Sequence, residues 1–312
     1  MNKQVKIITY NIDGLPESLD LNDLPFILKP IAWIYKLIKK TTLVKINDNK
    51  NVCLNTQLIS KYLSLNNPDI ICVQEDFNYH KELVDNFYDR YDCGTYTGGF
   101  DISKLFSSVK FFPKPRFKAD GLNLIYKLNT IKSNREHIVA WNKSNGYINN
   151  ANDELTTKGF RFYNLTLYDK YVLDLYIVHM DADFYDPINC PNVQKDIEAR
   201  QSQFKQLSNY ILERYNKGID NPILIVGDTN SYDKYEWDVN NIQSFIESFN
   251  KTEELHCEEI PPRNYNDCDR IFYISNNKAN FTLKMNDCYF DTNIYYTDHK
   301  PLIANFNIIE RQ

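Results

Sequence analysis

Apolar residues in this chain come in short runs that stop at a restricted set of polar residues. Residues 5–10 (VKIITY) run into Asn11-Ile-Asp-Gly14, and residues 70–73 (IICV) run into Gln74-Glu75. Residues 223–226 (ILIV) stop at Gly227-Asp228, and residues 171–179 (YVLDLYIVH), read as an alternating strand, end at His179. Runs of this length, rich in β-branched residues and bounded by turn formers, predict buried strands. Residues 121–125, 160–167, 270–274 and 302–308 predict further strands. Apolar residues at helical spacing predict helices over 55–66, closed by Pro68, and over 194–215, between Pro191 and Gly218. Strands outnumber helices and the two are interspersed, which suggests sheets packed face to face with helices outside. No internal repeat is visible, and the Asn-rich stretches 145–152 and 276–280 read as surface loops.

The polar residues that end these runs are the informative ones. Asn11, Glu75, His179, Asp228 and Asp298 each sit at or beside the end of an apolar run. Strand ends are where a layered fold gathers its loops around one cleft. A carboxylate ending a buried strand is costly unless it is paired or binds a cation. Mg²⁺ takes oxygen ligands and keeps several waters, so Glu75, Asn11 and Asp298 make a sufficient set, with Mn²⁺ as the alternative ion. Of five histidines, His179 and His299 stand beside carboxylates, where an imidazole can move protons or bind phosphate oxygens. His80, His137 and His256 read as structural histidines. No Walker-type phosphate loop and no G-x-S-x-G elbow is present.

Composition narrows the setting. A length of 312 residues fits a single domain over 1–312, with an insertion at about 15–53 between the first two motifs. A net charge of −5 gives no global basic excess of the kind a non-specific nucleic-acid binder carries. Seven Cys, with no C-x-x-C pair, argue against a structural zinc site or a disulfide framework. No signal-like leader and no apolar run long enough to span a bilayer is seen, so an intracellular, cytoplasmic setting is expected.

Taken together, the segments resemble the endonuclease/exonuclease/phosphatase superfamily, which includes DNase-like nucleases, neutral sphingomyelinases, inositol polyphosphate 5-phosphatases and tyrosyl-DNA phosphodiesterases. Thr9-Tyr-Asn11-Ile-Asp-Gly14 resembles the first motif, whose Asn helps bind the metal-bound phosphate. Pro68-Asp-Ile-Ile-Cys-Val-Gln74-Glu75 resembles the second, whose Glu is the principal Mg²⁺ ligand. His179-Met-Asp181-Ala is similar to the third, and Gly227-Asp228-Thr-Asn230 to the fourth. Cys268-Asp269-Arg-Ile-Phe272 resembles the segment whose Asp pairs with the last His, and Thr297-Asp298-His299-Lys-Pro301 the final motif. The resemblance implies a four-layer α/β/β/α sandwich of two packed mixed sheets with outer helices. It also implies in-line attack by water on a phosphoester, with Mg²⁺ on Glu75. Asp228 and Asn230 would set the water and the phosphate, while His299, oriented by Asp269, and His179 would flank the phosphorus. Asp120-Gly-Leu-Asn123 and Lys158-Gly-Phe160 are similar to a sphingomyelinase-related branch of uncharacterised microbial proteins, in which Asn123 lies near the substrate rim. Asp181 joins Asn11 and Asn123 as a candidate substrate contact.

The substrate is open between a lipid headgroup and nucleic acid. Residues 25–46 combine Phe26, Trp33, Tyr35 and several aliphatic residues with a Lys edge, which suits a peripheral membrane contact. That segment and the acidic balance favour a sphingomyelinase-like lipid phosphodiester. A DNA-directed phosphodiesterase, an inositol polyphosphate phosphatase and a catalytically inactive binding module are the alternatives. No obligate protein partner is evident.

Overall fold

Side-chain alternation along four central strands sets the architecture. The computed structural model describes residues 3–14, 52–99, 117–146, 153–183, 193–261 and 267–311. The apolar segment at 25–46, with the membrane contact expected of it, lies outside the described residues, as do residues 15–51 of the expected insertion. In chain order the elements are β1 (Gln4–Asn11), α1 (Val52–Asn66), β2 (Ile70–Gln74), α2 (His80–Val84), β3 (Tyr91–Cys93), β4 (Asn123–Lys127), β5 (Ile131–Ala140), β6 (Gly159–Leu167) and β7 (Tyr171–His179). They continue with α3 (Gln194–Asn216), β8 (Ile223–Asp228), α4 (Glu236–Asn250), β9 (Leu255–Glu259), β10 (Asp269–Asn276), β11 (Phe281–Phe290) and β12 (Leu302–Glu310).

Two six-stranded sheets result, ordered β11-β12-β1-β2-β4-β3 and β5-β6-β7-β8-β10-β9. Each is mixed: β1 runs parallel to β2 and β7 parallel to β8, while the other pairings are antiparallel. Val5 and Ile7 of β1, Ile70 and Cys72 of β2, Leu173, Leu175 and Ile177 of β7, and Leu224 and Val226 of β8 fill one core between the sheets. The intervening residues face outward. Ile8, Tyr10, Ile71 and Val73 meet Ile59 and Leu63 of α1 and Leu83 of α2. Tyr176, Val178, Ile225 and Phe272 meet Phe204, Leu207 and Ile211 of α3 and Ile242, Phe245 and Phe249 of α4. The layers therefore run helix, sheet, sheet, helix, as the resemblance implied. Truncating one of the buried inter-sheet leucines would cost about 2–5 kcal/mol.

The same alternation builds the functional end. Continuing the inward-facing positions by one more step along each strand reaches Asn11, Gln74, His179, Asp228 and Asp269. Register places Asn11 opposite Gln74, His179 opposite Asp228, and Asp269 opposite Asp228. Polar groups are thereby introduced where the apolar core runs out. Gly227 allows this close approach. Its φ is +133°, and a Cβ there would lie 2.3 Å from the Val178 carbonyl and 3.0 Å from Gln74 Nε2.

Candidate active site

Asn11 links the two sheets. Its Nδ2 donates to Glu75 Oε1 at 3.1 Å and to Asp228 Oδ2 at 3.0 Å. Its Oδ1 accepts the Asp13 N–H at 3.1 Å, so the amide presents its nitrogen to both carboxylates. Glu75 itself has a φ of +62°, costly for a residue with a Cβ, and its carbonyl accepts the Phe77 N–H at 2.8 Å. Asp13 and Asn230 also have positive φ, so backbone strain gathers around this cleft.

The two histidines flank Asp228. His179 Nε2 lies 3.7 Å from Asp228 Oδ2 and 3.8 Å from Glu75 Oε1. Trp141 Nε1 donates to the His179 carbonyl at 2.7 Å and fixes the strand end. His299 Nε2 also lies 3.7 Å from Asp228 Oδ2, and its Nδ1 lies 2.6 Å from Asp269 Oδ2. The backbone N–H of His299 donates to Thr297 Oγ1 at 3.0 Å, and that hydroxyl lies 3.1 Å from the Asn11 carbonyl. The last motif is thus tied to the first.

These environments divide the charges. Burial and the Lys158 ammonium drive His179 well below its ordinary range, so it is neutral. For His299 burial acts the same way, but the carboxylates of Asp269 and Asp228 outweigh it and hold the ring cationic. Burial would raise Asp228, yet His299, His179 and Lys158 keep it below its ordinary value and ionised. Burial pushes Glu75 up to about 7, against the opposing pull of Lys158 and of the Asn11 hydrogen bond. A buried acid in that condition, beside an ionised Asp228, fits a site for a divalent cation.

Asn11, Glu75, His179, Asp228, Asp269 and His299 therefore converge at one place. Asn230 joins them through its backbone N–H, which donates to Asp228 Oδ1 at 2.8 Å. Its side-chain amide donates one hydrogen bond to the Met180 carbonyl at 2.9 Å. Asp298, expected as a metal ligand, is exposed, and its charge bears on His299 and Tyr10. Asn123 and Asp181, expected at the substrate, are fully buried. Asn123 Nδ2 donates to Asp76 at 2.9 Å. Asp181 accepts from Gln203 Nε2 and from the Asn145 N–H, each at 2.6 Å.

Outside the expected set, Lys158 bears on this site by its charge, and His80 pairs with the residue that follows Glu75. Lys158 is buried, paired with Asp153, and its charge is felt by Glu75, His179 and Asp228. A Lys beside Gly159 at the mouth of a strand was the available signal. His80, read as structural, forms a second histidine–carboxylate pair: its Nδ1 is 2.6 Å from Asp76, the residue after Glu75, and its ring stacks on Tyr96 at 4.3 Å. The i, i+4 spacing of Asp76 and His80 was its signal.

No family model and no curated protein matches the chain. Solved structures do match in fold. A humanized D. rerio TDP2 aligns at a TM-score of 0.59 and 13% identity, covering 97% of this chain and 99% of that one. Sphingomyelinase C from Streptomyces griseocarneus aligns at 0.54 and 14% identity, covering 97% and 99%. An endonuclease/exonuclease/phosphatase from Bacteroides vulgatus aligns at 0.55 and 13% identity, covering 97% and 98%. Likenesses of this depth, over nearly the whole length of each partner, identify the architecture: the chain has the endonuclease/exonuclease/phosphatase fold.

Proposed function

We propose that the chain is a divalent-metal-dependent phosphodiesterase whose substrate class is a lipid headgroup ester of sphingomyelinase type. The observation that carries the hydrolytic reading is the pair of histidines, one neutral and one cationic, set on Asp228 next to the buried Glu75. Neutral and cationic imidazoles on one carboxylate suit a reaction that gathers negative charge on phosphorus oxygens and then releases an alkoxide.

Glu75 is the residue that would hold the cation, with Asn11 beside it, and an oxygen-rich set of this kind suits Mg²⁺ or Mn²⁺. When bound, the cation neutralises phosphate charge. The chain's own groups supply the rest. Asp228, ionised and held by Asn11 and the Asn230 N–H, orients the attacking water. His299, backed by Asp269, meets the developing negative charge and offers its Nε2 proton. His179, neutral, hydrogen-bonds a phosphate oxygen without adding charge.

The acidic balance of the chain favours lipid over nucleic acid. The test is a panel with Mg²⁺: sphingomyelin vesicles, plasmid DNA, inositol polyphosphates and a tyrosyl–DNA conjugate. Release of phosphocholine, lost in Glu75→Gln, is the expected result. Nicking of plasmid without lipid turnover would replace the lipid with nucleic acid and keep the chemistry. No hydrolysis of any of the four would remove the enzymatic reading.

A further inference from the structure

Cys268 is an unexpected neighbour of the catalytic groups. It directly precedes Asp269 and is buried, and burial and the charges of Asp228 and Asp269 keep its thiol protonated. One ligand atom each from Asp228, Cys268 and His299 lie within 4.8 Å of one another. Sulfur, imidazole nitrogen and carboxylate oxygen are the three donor types of zinc centres, and ligands around a tetrahedral Zn²⁺ at 2.0–2.3 Å lie roughly 3.3–3.8 Å apart. The observed Asp228 Oδ2 to His299 Nε2 separation of 3.7 Å is already of that size. The support behind the ligands is in place as well. His299 turns Nδ1 to Asp269 at 2.6 Å and so leaves Nε2, 3.7 Å from Asp228, for a ligand, as ligating histidines do.

We propose that Asp228, Cys268 and His299 form a site for a thiophilic divalent cation, Zn²⁺ in type, whose occupation switches hydrolysis off. Coordination breaks the Cys268 S–H bond, and its proton and the Nε2 proton of His299 leave to solvent. The thiolate sulfur, Nε2 and one Asp228 oxygen become three ligands, and water takes the fourth position. Mg²⁺ has little affinity for sulfur, so it stays with the oxygen donors at Glu75. The two cations therefore do not compete for one set of atoms. Inhibition follows because Zn²⁺ occupies the carboxylate and the imidazole that the reaction needs. That last step rests on the proposed hydrolytic function, whereas the binding itself does not.

The experiment separates the two. Cd²⁺ and Zn²⁺ are titrated into the metal-free full chain, following thiolate-to-Cd²⁺ charge-transfer absorption and the heat of Zn²⁺ binding, with Mg²⁺ in excess. A Cys93→Ser background removes the exposed thiol beside His80, which could otherwise bind cadmium. One equivalent of binding is expected in that background. Adding Cys268→Ser should abolish the charge-transfer band, and adding Asp269→Asn instead should weaken Zn²⁺ by about 10–100-fold. Circular dichroism checks that each variant is folded. Where a phosphodiester is turned over, Zn²⁺ should inhibit at saturating Mg²⁺ and Cys268→Ser should relieve it. Unchanged Zn²⁺ affinity and an unchanged band in the Cys268→Ser variant overturn the proposal, as does stoichiometric displacement of Zn²⁺ by Mg²⁺. If no substrate is hydrolysed, the binding readouts still decide the site.

Discussion

Asp269 and His299 come from opposite sheets' ends and meet at 2.6 Å, Oδ2 to Nδ1. Asp269 opens β10 of the second sheet, and His299 precedes β12 of the first. The contact fixes the ring, and with Asp228 it holds the imidazole charged although the site is buried.

Replacing Asp269 by Asn should therefore cost turnover more than binding. With the ring's orientation and charge both weakened, kcat should fall by about 10²–10⁴-fold with little change in KM. The pH profile gives the sign. His299 has a raised pKa, so activity that needs the imidazolium is full at low pH and lost as pH rises through that pKa. In Asp269→Asn the alkaline limb should move to lower pH. An unmoved limb would separate His299 from the proton it is assigned.

Glu75 makes stability depend on metal and pH together. Its folded pKa of about 7 lies above the ordinary 4.5, so between those values the folded metal-free chain binds more protons than the unfolded chain. Stability of the metal-free chain then falls as pH rises through this window. Mg²⁺ should raise the melting temperature more at pH 8 than at pH 5, and its affinity should drop roughly tenfold per pH unit once Glu75 is protonated. Glu75→Gln should abolish both effects.

His80 is expected to show a dependence of the same sign in a higher pH window. Burial lowers its pKa, but the contact with Asp76 and the hydrogen bond with Cys93 prevail and raise it to about 9. Its stabilising contribution is fully present below about 6.5 and is lost as pH rises through 9. Denaturant curves of His80→Gln should thus differ from those of the parent at pH 6 and converge with them above pH 9.

Arg161 is the strongest structural lock. Fully buried on β6, it donates from Nε and Nη2 to Asp120, each at 2.7 Å, and from Nη1 to Glu136 at 3.0 Å. It also reaches the Thr95 carbonyl, so it ties the loop before β4 and the segment after β3 to the second sheet. Arg161→Met strands two carboxylates and should cost about 3–5 kcal/mol in urea unfolding, without a selective loss of metal binding in the protein that remains folded.

The strands carrying Asn11, His179 and Asp228 were readable because they are central. Both faces of such a strand are covered, so the sequence is an apolar run whose end is abrupt. Helix α3 was readable from its 3.6-residue spacing. The edge strands were not. In β5 (IKSNREHIVA) and β11 (FTLKMNDCYF) most outward positions are polar or exposed, which leaves no apolar run to detect. Helix α4 was missed because Asn and Asp interrupt it, although Ile242, Phe245 and Phe249 keep a helical stripe. The site was legible residue by residue only where a polar group ends a strand. Lys158 gains its meaning from Glu75, more than eighty positions earlier, and Asp181 finds its hydrogen-bond partner in Gln203 on α3. Such partnerships are facts of packing, with no local trace.

Asn11 bridges Glu75 of one sheet and Asp228 of the other, and β1, which carries it, pairs with β12 from the far end of the chain. No partial assembly holds the reacting groups together. A refolding chain would stay catalytically silent through the growth of either sheet and acquire its chemistry only when the two faces close on each other, so that first turnover marks the end of folding.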